Sequence, residues 1–328
     1  MPLRKVRIAT RKSPLALAQS AWVTRELKRH HPGIEVEELH VVTMGDRIQD
    51  RPLSEVGGKG LFVTEIEEAL SDGRADLAVH SMKDVPAQLA DGLIIACVPI
   101  REDARDVLVT KDGAGLDDLE AFCKIGTSSL RRMAQLRLRR NDIICEPVRG
   151  NVETRLRKLD EGHYRAIVLA LAGLRRLGLA HRAHRVLSVE ECVPAVGQGA
   201  LGLETRADDA ELIKLLAPLD HHETRVAVEA ERSFLARIEG GCQLPIGGHA
   251  AFSHGGTRLH MDALVGTPDG SQVVRAGNDE FIEDQTPEGR LQLAHKLGIA
   301  LAERMLAKGA GQMIEQAREL ARERGWKG

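Results

Sequence analysis

Aromatic residues and long apolar runs are scarce in this chain. Phe, Trp and Tyr make up 2% of the 328 residues, so a core must be built from Leu, Ile, Val and Ala. The longest strongly apolar stretch, residues 166–174, is far shorter than the ~20 residues that a membrane-spanning helix needs. Arg11 and Lys12 interrupt the apolar region that a signal peptide would require. We therefore expect a cytoplasmic protein with no membrane partner.

Paired cysteines are also lacking. The cysteines are odd in number, widely spaced and without a CxxC pair, which argues against a disulfide framework and a zinc site. We therefore expect no metal ion. Most cysteines behave as small buried apolar residues. Cys242 lies between glycines in GGCQLPIGG, however, and this leaves a reactive or modified thiol as an alternative at that position.

The net charge of −2 is unevenly distributed along the chain. Residues 101–185 contain 15 Arg and 3 Lys against 12 acidic residues, and such a basic segment indicates an anionic partner. Nucleic acid is disfavoured, because the segment has few aromatic residues for base stacking and no recognisable DNA-binding motif. Carboxylates fit better, since a guanidinium pairs with a carboxylate through two parallel hydrogen bonds.

The hydrophobic pattern predicts an α/β architecture followed by a different C-terminal domain. Strand-like and helix-like segments alternate from residue 6 to about residue 204, which indicates open, largely parallel sheets. Ser13 and Pro14 predict the start of the first helix. From His221 onward, a long helix precedes strands separated by turns such as Pro268-Asp269-Gly270. This part is expected to be a smaller α+β domain with an antiparallel sheet.

Polar and basic side chains follow several of the predicted strands. Ligands of open α/β sheets bind beyond the carboxyl ends of the strands, so these side chains are expected to converge on one rim. The residues are Arg11, Ser13, Ser81, Lys83, Asp84, Thr127, Ser128, Ser129, Arg131, Arg132, Arg149, Asn151 and Arg155.

Two groups among them allow more than one interpretation. Ser128 or Ser129 can cap a helix, or the N–H groups at that helix start can bind an anion. Asp84 can form a surface ion pair with the neighbouring lysine, worth ~0–1 kcal/mol. Alternatively, it can be a carboxylate that stabilises a cationic intermediate or moves a proton. Its position after a buried strand favours the second interpretation.

Eight segments, in order along nearly the whole chain, resemble the porphobilinogen deaminase family. They are RIATRKSPLALAQ (7–19), VGGKGLF (56–62), AVHSMKDVP (78–86), GTSSLRR (126–132), RGNVETRL (149–156), LAGLRRLG (171–178), PAVGQGALG (194–202) and EGGCQLPIG (239–247).

The resemblance implies two doubly wound lobes like those of periplasmic binding proteins. Lobe 1 would comprise residues 1–99 and 200–219, and lobe 2 residues 100–199, with hinge crossovers near 99–105 and 193–200. Residues 220–328 would form the C-terminal domain. The implied activity is that of a transferase in tetrapyrrole (haem) biosynthesis. It would condense four porphobilinogen molecules onto a dipyrromethane cofactor, release four ammonia and then hydrolyse off hydroxymethylbilane.

The resemblance also assigns roles to residues. Cys242 would carry the dipyrromethane through a thioether, and Asp84 would stabilise the charge that forms when ammonia leaves. The lid loop over the cleft would contain Lys59 and Phe62, but Glu55 replaces a lysine of some relatives, so its role there is in doubt. Cofactor contacts would come from Lys83, Asp84, Thr127, Ser128, Ser129, Arg131, Arg132 and Arg155. Porphobilinogen contacts would come from Arg11, Ser13, Arg149, Arg155 and Arg176.

One alternative is a two-lobed protein that binds an anionic solute. Such a protein would share the architecture and the arginines but would need an export signal and would have no use for Cys242. A transcription regulator would need a helix-turn-helix segment, and none is apparent before Ser13. Nothing in the sequence requires a partner chain, so we expect a monomer.

Overall fold

The computed structural model describes most of the chain. The described residues are 4–47, 60–238, 244–253, 256–267, 269–282 and 286–323. Three β-sheets organise them, two with five strands each and one with three.

The first sheet has the strand order β2-β1-β3-β10-β4. Its strands are β1 (Lys5–Arg11), β2 (Glu35–Val41), β3 (Leu77–Ser81), β4 (Leu93–Cys97) and β10 (Leu201–Arg206). β1 runs parallel to β2 and β3, whereas β10 runs antiparallel to β3 and β4. The helices of this region are α1 (Pro14–His30), α2 (Met44–Arg47), α3 (Thr64–Ser71) and α7 (Ala210–Leu216).

Both faces of the first sheet are covered. Ile8 packs with Val23 and Leu27 of α1 on one face, and Ala9 packs with Ile66 of α3 on the other. Burial on both faces explains why β3 begins with the apolar run Leu77-Ala78-Val79. α1 begins where the sequence predicts, because the Ser13 Oγ accepts a hydrogen bond from the Ala16 N–H at 3.3 Å.

The second sheet repeats this arrangement with the order β7-β6-β8-β5-β9. Its strands are β5 (Asp106–Thr110), β6 (Lys124–Gly126), β7 (Ile144–Glu146), β8 (Ala166–Ala170) and β9 (Arg185–Val186). β6 is parallel to β7 and β8, and β5 is antiparallel to β8 and β9. The α-helices between them are α4 (Leu130–Arg139), α5 (Val152–Asp160) and α6 (Leu171–Arg176).

The third sheet is the predicted antiparallel one. It contains β11 (Ile246–Phe252), β12 (Arg258–Gly266) and β13 (Val273–Phe281), and the helices are α8 (His222–Arg237), α9 (Pro287–Leu306) and α10 (Ala310–Glu323). Phe234 of α8 is fully buried in this core. α8 and α9 lie so close that a Cβ at Gly298 would come 2.1 Å from the Ala230 carbonyl oxygen.

The fold class is confirmed, with one correction to the sheets. Two α/β sheets and a separate antiparallel sheet are present, but β10 and β5 each insert antiparallel into an otherwise parallel sheet. β10 enters the first sheet after the chain returns from the second. The two chain segments that connect the first and second sheets are in contact, and the Glu102 N–H of one donates to the Gly199 carbonyl of the other at 3.2 Å.

Candidate functional site

Asp84 lies directly beyond the carboxyl end of β3. A short 3-10 turn, Met82–Asp84, follows the strand, and its first residue is anchored by a hydrogen bond from the Met82 N–H to the Ala200 carbonyl at 3.0 Å. Asp84 is half-buried. Within the described parts of the chain, no hydrogen bond or ion pair engages its carboxylate, so the structure does not pair it with Lys83. The turn therefore presents an acidic group that no cation of the described residues neutralises by contact.

Cations surround this carboxylate without touching it. Burial lowers the pKa of the Lys83 ammonium, and Arg132 lowers it further, while Asp84 acts in the opposite direction. Burial also lowers the pKa of Arg155 to about 10, helped by the charges of Arg132 and Arg149 and opposed by Asp84. The structure thus brings side chains from both α/β sheets to one strongly positive region around Asp84.

Arg131 and Arg132 share a buried carboxylate that the sequence analysis did not single out. The Arg131 Nη1 donates to Asp106 at 2.7 Å, and the Arg132 Nη2 donates to the other oxygen at 2.6 Å. The Gln198 Nε2 donates to that oxygen at 2.9 Å. Burial alone would raise the pKa of Asp106, but the two guanidiniums outweigh it and hold the pKa far below its ordinary value. The cluster retains one net positive charge.

The hydroxyls before α4 are engaged in local structure. Ser129 is the N-cap of α4, its Oγ accepting from the Arg132 N–H at 3.4 Å, and the Thr127 Oγ1 accepts from the Ser129 N–H at 3.2 Å. The Ser128 Oγ donates to the Val148 carbonyl at 2.8 Å. The capping interpretation therefore applies to Ser129. These hydroxyls fix the loop that precedes α4, the helix that carries Arg131 and Arg132.

Arg11 is held by an acidic and an aromatic side chain. Its Nε donates to Asp46 at 3.0 Å, and its guanidinium carbon lies 4.1 Å from the centre of the Phe62 ring. Burial alone would raise the pKa of Asp46, but the hydrogen bonds from Arg11 and Thr43 outweigh it and lower the pKa. Phe62 thus covers Arg11, while Lys59 and Glu55 lie outside the described residues.

A small cavity connects Arg11 with Asp84. Ser13, Gln19, Phe62, His80 and Ser81 are among the residues that line it. Ser81 is fixed there, because its Oγ accepts a hydrogen bond from the Gln19 Nε2 at 2.8 Å. The cavity lies at the rim that the strand-end argument predicts.

The remaining arginines lie around the second lobe and the crossover. Arg149 is half-buried. Arg176 donates from Nη2 to the Gly199 carbonyl at 2.6 Å, and burial lowers its pKa to about 10 against the opposing charge of Glu102. The structure therefore places Arg176 at the crossover and does not show it in contact with Asp84.

Several buried polar groups of the site were not predicted from the sequence. Asp106 could not be singled out, since it is one of 12 acidic residues among the arginines of residues 101–185. His80 could have been singled out, because a histidine that directly follows three apolar residues of a buried strand needs a polar partner. Its ring Nε2 lies 2.8 Å from Glu204, a partner 124 residues away.

Neither metal binding nor membrane insertion gains support from the described residues. They contain no cluster of His, Cys, Asp and Glu suited to a metal ion. None of their helices is long and apolar enough to cross a bilayer.

Solved structures with similar chains include proteins of the periplasmic-binding kind. The methionine binding protein MetQ matches with 16% identity and a TM-score of 0.43, over 66% of this chain and 89% of that one. The periplasmic aliphatic sulphonate binding protein SsuA from Escherichia coli matches with 15% identity and a TM-score of 0.39, over 71% and 70%. The VFT2 domain of BvgS from Bordetella pertussis matches with 17% identity and a TM-score of 0.40, over 65% and 84%.

Two family models match the chain in sequence. One, described as porphobilinogen deaminase, dipyromethane cofactor binding domain, matches residues 6–214. The other, described as porphobilinogen deaminase, C-terminal domain, matches residues 226–307. Together they span both α/β sheets and most of the C-terminal region, and the chain belongs to the porphobilinogen deaminase family.

Proposed function

We propose that this chain is a transferase that joins four porphobilinogen molecules head to tail. Four ammonia molecules leave during the condensations, and hydrolysis then releases hydroxymethylbilane. The observation that carries this proposal is the carboxylate of Asp84, which has no ion-pair partner among the described residues although cations surround it at the rim of the cleft. A site that only held carboxylates would have no use for an acidic group there.

The cations would hold the acetate and propionate groups of the pyrroles. Arg131 keeps its Nε and Nη2 without a hydrogen-bond partner in the described structure, although its Nη1 is bound to Asp106. Lys83 likewise has no hydrogen-bond partner among those residues, although it is half-buried. Charged N–H donors that lack a partner in a partly buried region favour carboxylate ligands, because without a ligand these donors lose water and gain no hydrogen bond in return. Arg11, Ser13, Arg149, Arg155 and Arg176 are proposed to bind porphobilinogen.

Asp84 would stabilise positive charge on the substrate. Loss of ammonia from porphobilinogen leaves a positive charge that spreads over the pyrrole nitrogen. The Met82–Asp84 turn holds the carboxylate at the end of a buried strand, so it is aimed before the reaction begins. A charge fixed in advance needs no reorganisation as the transition state forms, and this is a large source of rate enhancement.

The donor set fits the dipyrromethane cofactor of the family. Lys83, Asp84, Thr127, Ser128, Ser129, Arg131, Arg132 and Arg155 would hold it. When bound, the dipyrromethane supplies the free pyrrole carbon to which the first porphobilinogen is joined.

Cys242 is the proposed attachment residue and lies outside the described residues. Cys97, Cys123, Cys145 and Cys192 are all buried. Burial raises the pKa of each of these thiols, that of Cys192 to about 12. Because the thiolate is the reactive form, the four buried cysteines are poor nucleophiles. The low reactivity of these four thiols supports Cys242 as the attachment residue.

Incubation of the purified protein with porphobilinogen tests the activity. The expected result is four ammonia per hydroxymethylbilane, and an intact mass that includes a dipyrromethane mapped to Cys242. A protein that binds porphobilinogen reversibly, without ammonia release and without any adduct, would instead be the two-lobed solute-binding protein. An adduct on one of the other four cysteines would contradict the attachment residue. A cytoplasmic location and a monomeric state complete the proposal, the latter testable by sedimentation.

A further inference from the structure

Two buried side chains, His80 and Glu204, and the partly buried Glu67 form a polar cluster beside the candidate site. His80 of β3 and Glu204 of β10 lie on neighbouring antiparallel strands. The His80 Nε2 is 2.8 Å from the Glu204 Oε2, and the two side chains are 4% and 0% exposed. A carboxylate can only accept, so Nε2 carries the proton of a neutral His80 ring. The other ring nitrogen, Nδ1, is then the acceptor.

The second glutamate completes the cluster from the helix side. Glu67 of α3 accepts a hydrogen bond from the Ala90 N–H at 3.3 Å. Its pKa is raised, first by burial and then by the charge of Glu204. Among the described residues, no group donates a hydrogen bond to the Glu204 Oε1. The charges of Glu204 and Glu67 therefore interact, and Glu204 binds the His80 ring directly.

The open side of His80 faces the site. His80 lines the same cavity as Asp84, Arg11 and Phe62. Its Nδ1 has no hydrogen-bond partner within the described residues. From the C-terminal region, Arg232 of α8 donates a hydrogen bond to the Pro86 carbonyl at 2.9 Å, and the charge of Glu204 raises the pKa of Arg232 against the larger lowering by burial. The cluster is therefore buried on one side and open to the cavity on the other.

We propose that His80 is the base that removes a proton at each condensation, with Glu204 and Glu67 orienting it from behind. The inference rests on the function proposed above and adds a step to it. A carbon–carbon bond forms between the methylene carbon of the incoming unit and the free α-carbon of the terminal substrate-derived pyrrole. The C–H bond at that α-carbon then breaks, and its electron pair returns to the ring. The proton moves to the His80 Nδ1 and is passed on to the released ammonia or to water.

This assignment divides the work between two side chains. Asp84 must remain charged to stabilise the positive ring, so a separate group is needed to take the proton. A neutral imidazole backed by a carboxylate does so well, because the carboxylate fixes the tautomer and stabilises the imidazolium that forms. Glu204 and Glu67 act through His80 and are positioning residues.

The test compares porphobilinogen carrying hydrogen or deuterium at its free α-carbon. With His80 in place, proton loss is expected to be faster than the other steps, so the two rates of the wild-type protein should be nearly equal. His80→Gln should slow elongation by roughly 10²–10⁴-fold, and a primary isotope effect should appear because proton loss becomes limiting. Glu204→Gln should show a smaller loss with the same isotope effect. The control, His163→Gln, removes a histidine whose side chain is 63% exposed and should behave as wild type.

A slow His80→Gln enzyme without an increased isotope effect would overturn the proposal, as would one with an unchanged rate. A wild-type protein that does not consume porphobilinogen would instead refute the proposed function itself. Should His80→Gln fail to fold, ¹⁵N resonances of the wild-type histidines decide the question. We expect the spectrum to show the proton on Nε2 of His80. The resonance of Nδ1 should shift when a methyl analogue of porphobilinogen fills the cavity. The opposite tautomer, or an unaffected Nδ1, would overturn the assignment.

Discussion

Replacement of Asp106 by asparagine tests how the arginines of the cleft are held. Asp106 is fully buried between Arg131 and Arg132, whose side chains are 4% and 8% exposed. Asp106→Asn keeps the size of the side chain but leaves two buried guanidiniums without a counter-charge. Removing one partner from a buried ion cluster costs about 3–5 kcal/mol. We expect the free energy of unfolding to fall by that amount.

The pH dependence of this loss has a definite sign. The pKa of Asp106 is lower in the folded state than in the unfolded chain, so its stabilisation is fully present above the unfolded value of about 3.9. This stabilisation is lost as the pH falls from about 3.9 towards the lower pKa that Asp106 has in the folded state. The difference between the wild type and Asp106→Asn should therefore be constant from about pH 5 to 8 and shrink below about pH 4.

Urea unfolding followed by far-UV circular dichroism measures the effect. Asp112→Asn is the matched control, because Asp112 pairs with Arg165 at a 57% exposed position and should change the midpoint little. Adding Arg131→Met to Asp106→Asn should restore part of the loss, since one unpaired cation is removed. An Asp106→Asn protein as stable as the wild type would refute the reasoning.

Two further changes test the crossover and the carboxylate receptors. Glu231 is fully buried and binds Arg101 and the N–H groups of Gly197 and Ala250. Glu231→Gln should therefore lower the free energy of unfolding by about 3–5 kcal/mol. An unchanged urea midpoint would contradict this. Arg149→Leu should weaken cofactor loading or elongation with an unchanged far-UV spectrum, whereas Arg139→Leu, which breaks a surface pair with Asp117 and Glu191, should have little effect. Equal activity of these two arginine variants would reject the receptor role of Arg149.

The elements that sequence patterns predict best are those governed by neighbouring residues. The start of α1 at Ser13 and Pro14 depends on a cap three residues away, and the buried strand before Asp84 depends on its own apolar run. β9 was missed because it contains only two residues. The antiparallel insertion of β10 was missed too, since strand direction in a sheet depends on the path of the whole chain.

The contacts that shape the site are long-range, which is why they were not predicted. Arg11 meets Asp46 across 35 positions, and Arg131 meets Asp106 across 25. Composition showed an arginine excess but not that a buried carboxylate neutralises part of it. The domain limits and the roles of Cys242, Lys59 and the individual arginines stay predictions.

The rate of porphobilinogen condensation by Asp84→Asn tests the central claim most directly. This change nearly preserves the shape of the side chain and removes its charge. A carboxylate aimed at developing charge contributes roughly 3–4 kcal/mol, so turnover should fall about 10²–10³-fold while porphobilinogen still binds. Asp84→Glu, which keeps the charge but displaces it, should retain partial activity. A near wild-type rate for Asp84→Asn would contradict the account.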